Sequence, residues 1–503
     1  MEPSSPPESR PSPPRRPWKR RLLTRGLPAI VALYLLLLIP DAAPAPPRLP
    51  PRSAFAWNQG ERWKALEASF VAARAEEPGH LRQAVRTALE EGEARVARVR
   101  RETLPAADPL FDQVEEDLLT LAPRIGACPE ELPSFLAFAN AMREAVKEQS
   151  LHWDMTAAAT RARLYRLLYG GRAAVEEAML QAPPSAVPAL SLCRDEPSQA
   201  PSANVHGVRV RSGDILLSRG AAPISALIAR GSDFPGNFSH VALVHIDAAT
   251  SNVSVIEAHI EKGVAVSTID DYLGDKKLRV MVLRARADLP QMVARPMLAH
   301  EAASAELADA RGRHIAYDFA MDFGDHSRLF CSEVASAAYE RVGVTLWMGI
   351  STISSPGLGS WLSAFGVEHF VTQEPSDLEY DPQLRVVAEW RDAEALLLDH
   401  VDNAITDVLL EGAERGEALE YARLTLPFTR IAKAYSVGMN LFGGIGPIPE
   451  GMSASAALKS ESLRKRHEAL RGRLLEGIAV SRAKRGYTPP YWEMLRLARE
   501  ARE

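Results

Sequence analysis

Apolar residues recur at helical spacing through the first long folded segment, residues 58–182. Leu66 and Phe70 are four positions apart, and so are Val114 and Leu118. Residues separated in this way lie on one face of an α-helix, while the charged residues between them face water. Proline and glycine interrupt the pattern at several points. We therefore predict a region of several amphipathic helices.

The pattern changes near residue 205, where β-branched residues begin to alternate with polar ones. Strands are predicted at 240–246, 252–260 and 278–283, and helices at 223–230, 289–311 and 331–342. This mixture predicts an α+β domain over residues 205–375 with a mostly antiparallel sheet. The Pro- and Ser-rich residues 183–204 are predicted to be a linker, and residues 376–503 return to a helical pattern.

The N-terminus combines a basic tail with an uncharged apolar run. Residues 1–26 are rich in Pro and Arg, residues 27–40 are apolar, and residues 41–57 form a Pro- and Ala-rich linker. A basic flank before an apolar run is typical of an export signal or a membrane anchor. The run has 14 residues, fewer than the ~20 of a full transmembrane helix.

Three interpretations of this segment remain open. The small-residue site Ala43-Pro44-Ala45 is followed by Pro46, which should hinder cleavage. We therefore favour an uncleaved anchor that holds the rest of the chain outside the cytoplasm. The alternatives are a cleaved signal, which would give a secreted or periplasmic protein, and a cytosolic chain with a buried apolar stretch.

Composition narrows the possible partners. The 503 residues are 46% hydrophobic and 24% charged, with a net charge of −5, so no strong basic field indicates a nucleic-acid partner. There are three cysteines. In an exported chain Cys128 and Cys193 could form a disulfide and leave Cys331 free. Three unpaired thiols are the alternative.

A predicted hairpin brings a histidine and an acid together. Residues 239–246 and 251–258 form two strands joined by a four-residue loop. With Ile246 opposite Ser251, the register puts His240 opposite Glu257, within reach of a hydrogen bond. A slip of one residue would remove the pairing.

A cysteine begins the helix predicted at 331–342. At a helix N-terminus, Cys331 would have its thiolate favoured by free N–H groups and by the helix dipole. A nearby imidazole would activate the thiol further, and the same N–H groups can accept an oxyanion. Each residue also has a structural interpretation: a small core residue for Cys331, a structural hydrogen bond for His240, and a solvated strand position for Glu257. One shared catalytic role explains the three residues more simply than three separate structural roles in one small domain.

Five short motifs occur in order through this domain. They are Gly213-Asp214-Ile215-Leu216, Phe238-Ser239-His240-Val241-Ala242, Ile256-Glu257-Ala258, Gly263-Val264 and Phe330-Cys331-Ser332-Glu333. Together they resemble the YaeF/YiiX-like permuted papain-fold amidases, relatives of the NlpC-type cell-wall peptidases and of lecithin retinol acyltransferase. The histidine precedes the cysteine by 91 residues, which is the order of the permuted branch.

The resemblance implies a role for each matching residue. Cys331 would be the nucleophile, His240 the general base, and Glu257 the residue that orients His240. Tyr317 and Ser332 would lie on the substrate or oxyanion side, although Tyr317 also fits as a core tyrosine. Two further positions are read as structural: Asp214 in a turn and Glu333 as a first-turn carboxylate favoured by the helix dipole.

Metal chemistry is the weaker alternative. His240, Glu257 and His259 could supply ligands, but no spacing such as H-E-x-x-H occurs, and His245 falls on the opposite strand face. We expect no metal and no cofactor.

The predicted function is therefore a cysteine hydrolase that cleaves an amide or ester through a thioester, with cell-envelope peptides or acylated lipids as substrates. A lipid acyltransferase or phospholipase-like enzyme and a non-catalytic binding module are the alternatives.

Overall fold

The computed structural model describes residues 27–41, 45–55, 59–442 and 444–503. The predicted basic tail, residues 1–26, lies outside the described residues, as do Ala43 and Pro44 of the small-residue site. Part of the predicted linker at 41–57 lies outside them as well.

Helices precede and follow a central sheet domain. The N-terminal helices are α1 (Leu27–Leu37), α2 (Gln59–Ala75), α3 (Pro78–Arg101), α4 (Leu110–Ile125), α5 (Leu132–Ser150) and α6 (Ala158–Gln181). The strands are β1 (Leu190–Leu192), β2 (Ser202–Val205), β3 (Val208–Arg211), β4 (Ile215–Gly220), β5 (His240–Ile246), β6 (Val253–His259), β7 (Gly263–Thr268), β8 (Lys277–Ala285), β9 (Ser351–Thr352), β10 (Val371–Thr372) and β11 (Leu384–Trp390). The remaining helices are α7 (Pro223–Arg230), α8 (Ile269–Gly274), α9 (Pro290–Ala294), α10 (Leu298–Gly312), α11 (Cys331–Glu340), α12 (Pro356–Ser363), α13 (Asp377–Tyr380), α14 (Ala393–Glu414), α15 (Leu426–Leu441), α16 (Ala454–Arg485) and α17 (Tyr491–Arg502).

The main sheet has seven strands in the order β1-β11-β8-β4-β5-β6-β7, and every neighbouring pair is antiparallel. The α+β fold with an antiparallel sheet is therefore confirmed. Alternate residues of each strand point to opposite faces. Val241 and Leu243 face a core that includes α10 and α11, whereas Ala242 and Val244 face a second core.

The sheet extends beyond the predicted domain limits on both sides. Strand β11 lies after residue 375 and pairs with β8, and strand β1 lies in the predicted linker and pairs with β11. Strand β2 begins within that linker. Local patterning missed β1 and β11 because their partners are distant in sequence and β1 has only three residues. The segment predicted as one helix at 289–311 is divided into α9 and α10.

The two helical regions are bound to the sheet domain through buried charges. Arg172 on α6 donates to Glu389 on β11 at 3.0 Å, and it also donates to Glu379 at 2.9 Å. Arg279 on β8 pairs with Glu176 on α6 at 2.5 Å. Buried charges are tolerated only when they are paired and hydrogen-bonded. Helices α2 to α6 also share one apolar core with α14, α16 and α17.

None of the described helices is both long enough and apolar enough to cross a membrane. Helix α1, within the apolar run at 27–40, has 11 residues. The location of the chain stays a prediction.

All three cysteines are free thiols. Cys128 is buried, and Cys193 is half-buried with its sulfur 2.9 Å from Nη2 of Arg143. The structure thus matches the unpaired alternative rather than a Cys128–Cys193 disulfide.

Candidate active site

His240 begins strand β5, where the chain leaves a loop and enters the sheet. The preceding residue, Ser239, donates its backbone N–H to the Ser218 carbonyl on β4 at 2.9 Å. Ser376 holds the residue before that, because its hydroxyl accepts from the Phe238 N–H at 2.9 Å and donates to the Phe238 carbonyl at 3.1 Å. The backbone that leads into His240 is therefore held by β4 and by Ser376.

The predicted pairing of His240 directly opposite Glu257 is wrong. The observed register pairs Ala242 with Glu257 and Ile246 with Val253. The hairpin loop is longer than predicted because Asp247 caps it, accepting from the backbone N–H groups of residues 249 and 250. The shift is two residues, so His240 and Glu257 still share a sheet face.

Glu257 nevertheless bonds to His240 along the diagonal of the hairpin. The Glu257 Oε2 atom lies 2.8 Å from Nε2 of His240. Its other oxygen, Oε1, accepts from the Ser267 hydroxyl at 3.1 Å and lies 3.2 Å from Nε2 of His259. Three side chains thus hold a carboxylate that is almost fully buried.

These contacts change the pKa of both partners. Burial alone would lower the pKa of His240, but its hydrogen bonds with Cys331 and Glu257 outweigh burial and raise it to about 9. Burial alone would raise the pKa of Glu257, but hydrogen bonds with His240 and His259 hold it well below its usual range. At neutral pH the pair is therefore an imidazolium and a carboxylate.

Cys331 is the first residue of helix α11, as the sequence predicted. This helix packs against β5 and β6, which brings its N-terminus to the start of β5. The sulfur lies 4.0 Å from the Ser239 carbonyl oxygen, and Cys331 is close enough to the His240 ring to contribute to the raised pKa of that ring. Because Nε2 of His240 contacts Glu257, Nδ1 is the nitrogen left for the thiol. Cys331 is 5% exposed.

Glu333 closes the first turn of α11 in a way that the sequence analysis did not anticipate. It accepts from the Phe330 N–H at 2.9 Å, which caps the helix. Burial raises the pKa of Glu333 to about 9, with a smaller contribution from the charges of Asp318 and Asp322. The expected first-turn carboxylate is therefore a neutral acid at pH 7.

Tyr317 lies on the segment that runs parallel to the residues before Cys331. A bridge joins Tyr317 to Leu329, and burial raises the pKa of its hydroxyl, with a further contribution from the charge of Cys331. Ser332 is fully buried, and its hydroxyl has no hydrogen-bond partner among the residues that the structure describes. Contact with a substrate stays a prediction for both Tyr317 and Ser332.

Asp214 has the structural surroundings expected of it. Its two oxygens accept from Nε and Nη2 of Arg284 at 2.7 and 2.8 Å, and one of them also accepts from the Arg211 N–H at 2.7 Å. His245 lies on the strand face away from His240, where its ring is 5.4 Å from that of His300.

Sequence analysis missed two residues next to the candidate triad, Ser267 and Ser376. Ser267 could have been found from strand alternation, because it lies on the strand neighbouring β6 and contacts Glu257. Ser376 gave no local signal, since it is 138 residues from its partner Phe238.

The three residues of the metal alternative lie next to one another. His240, Glu257 and His259 do meet, as the alternative required, but through hydrogen bonds and ion pairs. Within the described ranges, no group of three or more His, Cys, Asp or Glu side chains is arranged to hold a metal ion.

A family comparison identifies the class of the sheet domain. Residues 209–388 match the model of a family described as permuted papain-like amidase enzyme, YaeF/YiiX, C92 family. This match confirms the resemblance drawn from the motifs. It supports a permuted papain-like fold for these residues and a similarity to an amidase family of the cysteine-hydrolase type.

A solved structure also matches part of the chain. It is described as the metalloprotein yiiX from Escherichia coli O157:H7 and is 19% identical, with a TM-score of 0.27, covering 35% of this chain and 95% of its own. No curated protein matches the chain. The class assignment therefore depends on the family match.

Proposed function

We propose that this protein is a cysteine amidase in which Cys331 is the nucleophile, His240 the general base and acid, and Glu257 the residue that orients His240. The observation that carries the proposal is one imidazole between a thiol and a buried carboxylate, with Nε2 of His240 2.8 Å from Oε2 of Glu257. This is the arrangement that an activated Cys–His nucleophile requires.

The reaction follows from these positions. The Cys331 thiolate attacks the substrate carbonyl carbon, and the resulting oxyanion is stabilised by the free N–H groups at the start of α11. The His240 imidazolium gives its proton to the leaving amine as the carbon–nitrogen bond breaks, which leaves a thioester on Cys331. The neutral imidazole then takes a proton from water, and the hydroxide attacks the thioester carbonyl carbon. The carbon–sulfur bond breaks, which releases the carboxylic acid and leaves the thiolate beside the imidazolium, as at the start.

Glu257 keeps His240 in one orientation throughout this cycle. A carboxylate on Nε2 fixes the tautomer that leaves Nδ1 facing the thiol, and it stabilises the imidazolium when that forms. A binding module would have no need for a buried acid that pairs with a histidine and, through it, with a thiol. An ester could replace the amide with the same residues, because only the leaving group changes.

Cell-envelope peptides and acylated lipids are the substrate classes we propose to test. The basic tail and apolar run at the N-terminus support a location outside the cytoplasm, where both classes of substrate occur.

Loss of the thiol tests the proposal. We expect Cys331→Ala to abolish release of the acyl product from peptidoglycan fragments or acylated lipids. Cys193→Ala is the matched control and should retain wild-type turnover, since Cys193 is a free thiol away from His240. Equal turnover by wild type and Cys331→Ala would refute the catalytic role.

A further inference from the structure

An apolar surface is formed by two helices that are almost 400 residues apart in sequence. We name it the two-helix face: helix α1 together with residues 424–442, which include α15, and residues 444–445. Its apolar side chains point into solvent, with exposed fractions of 57% to 92% for Leu33, Leu36, Phe428, Ile431, Leu441 and Phe442. Most of the large exposed apolar side chains in the described part of the chain lie here. Contiguous exposed apolar surface on this scale marks an interaction site.

Specific contacts hold the two helices together. The Tyr34 ring packs edge-on against Phe428 with centroids 6.2 Å apart, and the Tyr34 hydroxyl donates to the Leu424 carbonyl at 3.1 Å. Arg430 donates to the Leu37 carbonyl at 3.0 Å and forms an ion pair with Asp41. The polar groups of Tyr34 and Arg430 form contacts between the two helices, and the apolar side chains of the face are exposed to solvent.

The charges of the sequence segments next to the two-helix face favour an anionic lipid surface. Residues 9–26, which directly precede α1 in the sequence, contain seven Arg or Lys residues and no acid. Residues 421–449 contain Arg423, Arg430 and Lys433 and no acid, and Arg430 is the one paired with Asp41. The whole chain is acidic, with a net charge of −5, so these two segments differ from the rest. Exposed apolar side chains flanked by cationic residues are typical of a helix that lies in a membrane interface.

The same surface leads to the candidate active site. The chain after α15 turns back, and Ile448 donates its N–H to the Ser436 hydroxyl at 3.0 Å. Gly451 then packs against the Phe319 ring so closely that a Cβ atom would lie 2.4 Å from it.

From Phe319 the contacts continue towards the nucleophile. The ring centroids of Phe319 and Tyr317 are 5.1 Å apart, and Tyr317 lies beside the segment that ends at Cys331. A short series of packed residues therefore connects the two-helix face with the loop around the thiol.

We propose that the two-helix face docks the protein on an anionic phospholipid bilayer and holds the Cys331 site against a lipid-borne amide or ester. The second half of this statement rests on the proposed function. The C-terminal helical region thus has an assigned role as half of the membrane-docking surface.

Vesicle binding by the full chain tests the docking. Leu441→Ser/Phe442→Ser removes two of the most exposed apolar side chains without touching the contacts of Tyr34 or Arg430. We expect it to bind vesicles of phosphatidylcholine and phosphatidylglycerol at least ~10-fold more weakly than wild type, since each apolar side chain buried in lipid contributes to affinity. Wild type should bind phosphatidylcholine alone more weakly than the anionic vesicles.

The matched control is Val71→Ser/Val480→Ser, which removes two exposed apolar side chains on α2 and α16. It should bind like wild type. Equal binding by wild type and Leu441→Ser/Phe442→Ser would overturn the docking proposal. So would a wild-type oligomer that ignores vesicles and dissociates in that variant, because the face would then bind a second copy of the chain.

Two further readouts separate this proposal from the catalytic one. Leu441→Ser/Phe442→Ser should label at Cys331 with iodoacetamide as fast as wild type, while its turnover of acylated lipid in vesicles falls with its binding. If Cys331→Ala still turns over substrate, the proposed function fails. If the docking variant turns over vesicle lipid at the wild-type rate, only the lipid-delivery proposal fails.

Discussion

Glu257→Gln separates the charge of Glu257 from its shape. Glutamine keeps nearly the same volume and can still accept a hydrogen bond from Nε2 of His240, so the substitution removes mainly the negative charge. That charge supports the imidazolium form of His240, whose pKa is raised to about 9. Without it, the imidazolium form of His240 should lose its proton at a lower pH.

The size of the effect follows from the 2.8 Å contact between Glu257 and His240. A hydrogen bond to a charged group contributes about 1.5–3 kcal/mol and a neutral one about 0.5–1.5 kcal/mol. The His240 side chain is 21% exposed, which favours the lower part of that difference, about 1–1.5 kcal/mol. This corresponds to about a tenfold change in the protonation equilibrium.

The assay is the pH titration of the His240 ring, followed by NMR. The pKa of His240 should be about one unit lower in Glu257→Gln than in wild type. Glu261→Gln makes the same change in charge at an exposed turn position and should leave the pKa of His240 unchanged. A wild-type pKa of His240 in Glu257→Gln would refute the idea that this carboxylate stabilises the imidazolium.

Two stability predictions concern residues outside the triad. Burial raises the pKa of Glu306 to about 7, so the folded protein loses stability as the pH rises from the ordinary pKa of a glutamate towards 7. Glu306→Gln should therefore raise the free energy of unfolding by about 3 kcal/mol at pH 8 and hardly at pH 4. An equal gain at both pH values in urea titrations would contradict this. Gly213 has φ +94° and a Cβ there would lie 2.4 Å from Cβ of Ala299, so Gly213→Ala should lower that free energy by about 3 kcal/mol or more. Gly312→Ala, in open space, should change it by less than about 1 kcal/mol, and similar losses in both variants would argue against the steric reason.

The sequence predicted those strands and helices whose pattern lies entirely within their own residues. The bounds of β5 and the start of α11 at Cys331 follow from β-branched alternation and from helical spacing. Long-range pairing was not predictable in this way. Strand β11 and the Ser376 hydroxyl are defined by partners far away in sequence, and no periodicity within either segment indicates those partners.

The contact between His240 and Glu257 forms although the predicted register was wrong, because the register differs by an even number of residues. A sheet alternates its side chains with a period of two, so a two-residue shift moved Glu257 along its face without turning it away. The diagonal distance is then spanned by the side chains themselves, which are long enough to meet at 2.8 Å. The sequence could therefore predict which residues meet, although the loop length it assumed was too short.

The raised pKa of His240 bears on the two roles proposed for this residue. In the proposed reaction, an imidazolium that is already present at neutral pH can protonate the leaving group directly. After the amine has left, the sulfur is acylated and uncharged, so it no longer supports the imidazolium. The pKa of His240 should then fall towards its ordinary value, which makes the neutral ring available as the base for water. One histidine can thus act as acid and then as base because its thiol partner is consumed between the two steps.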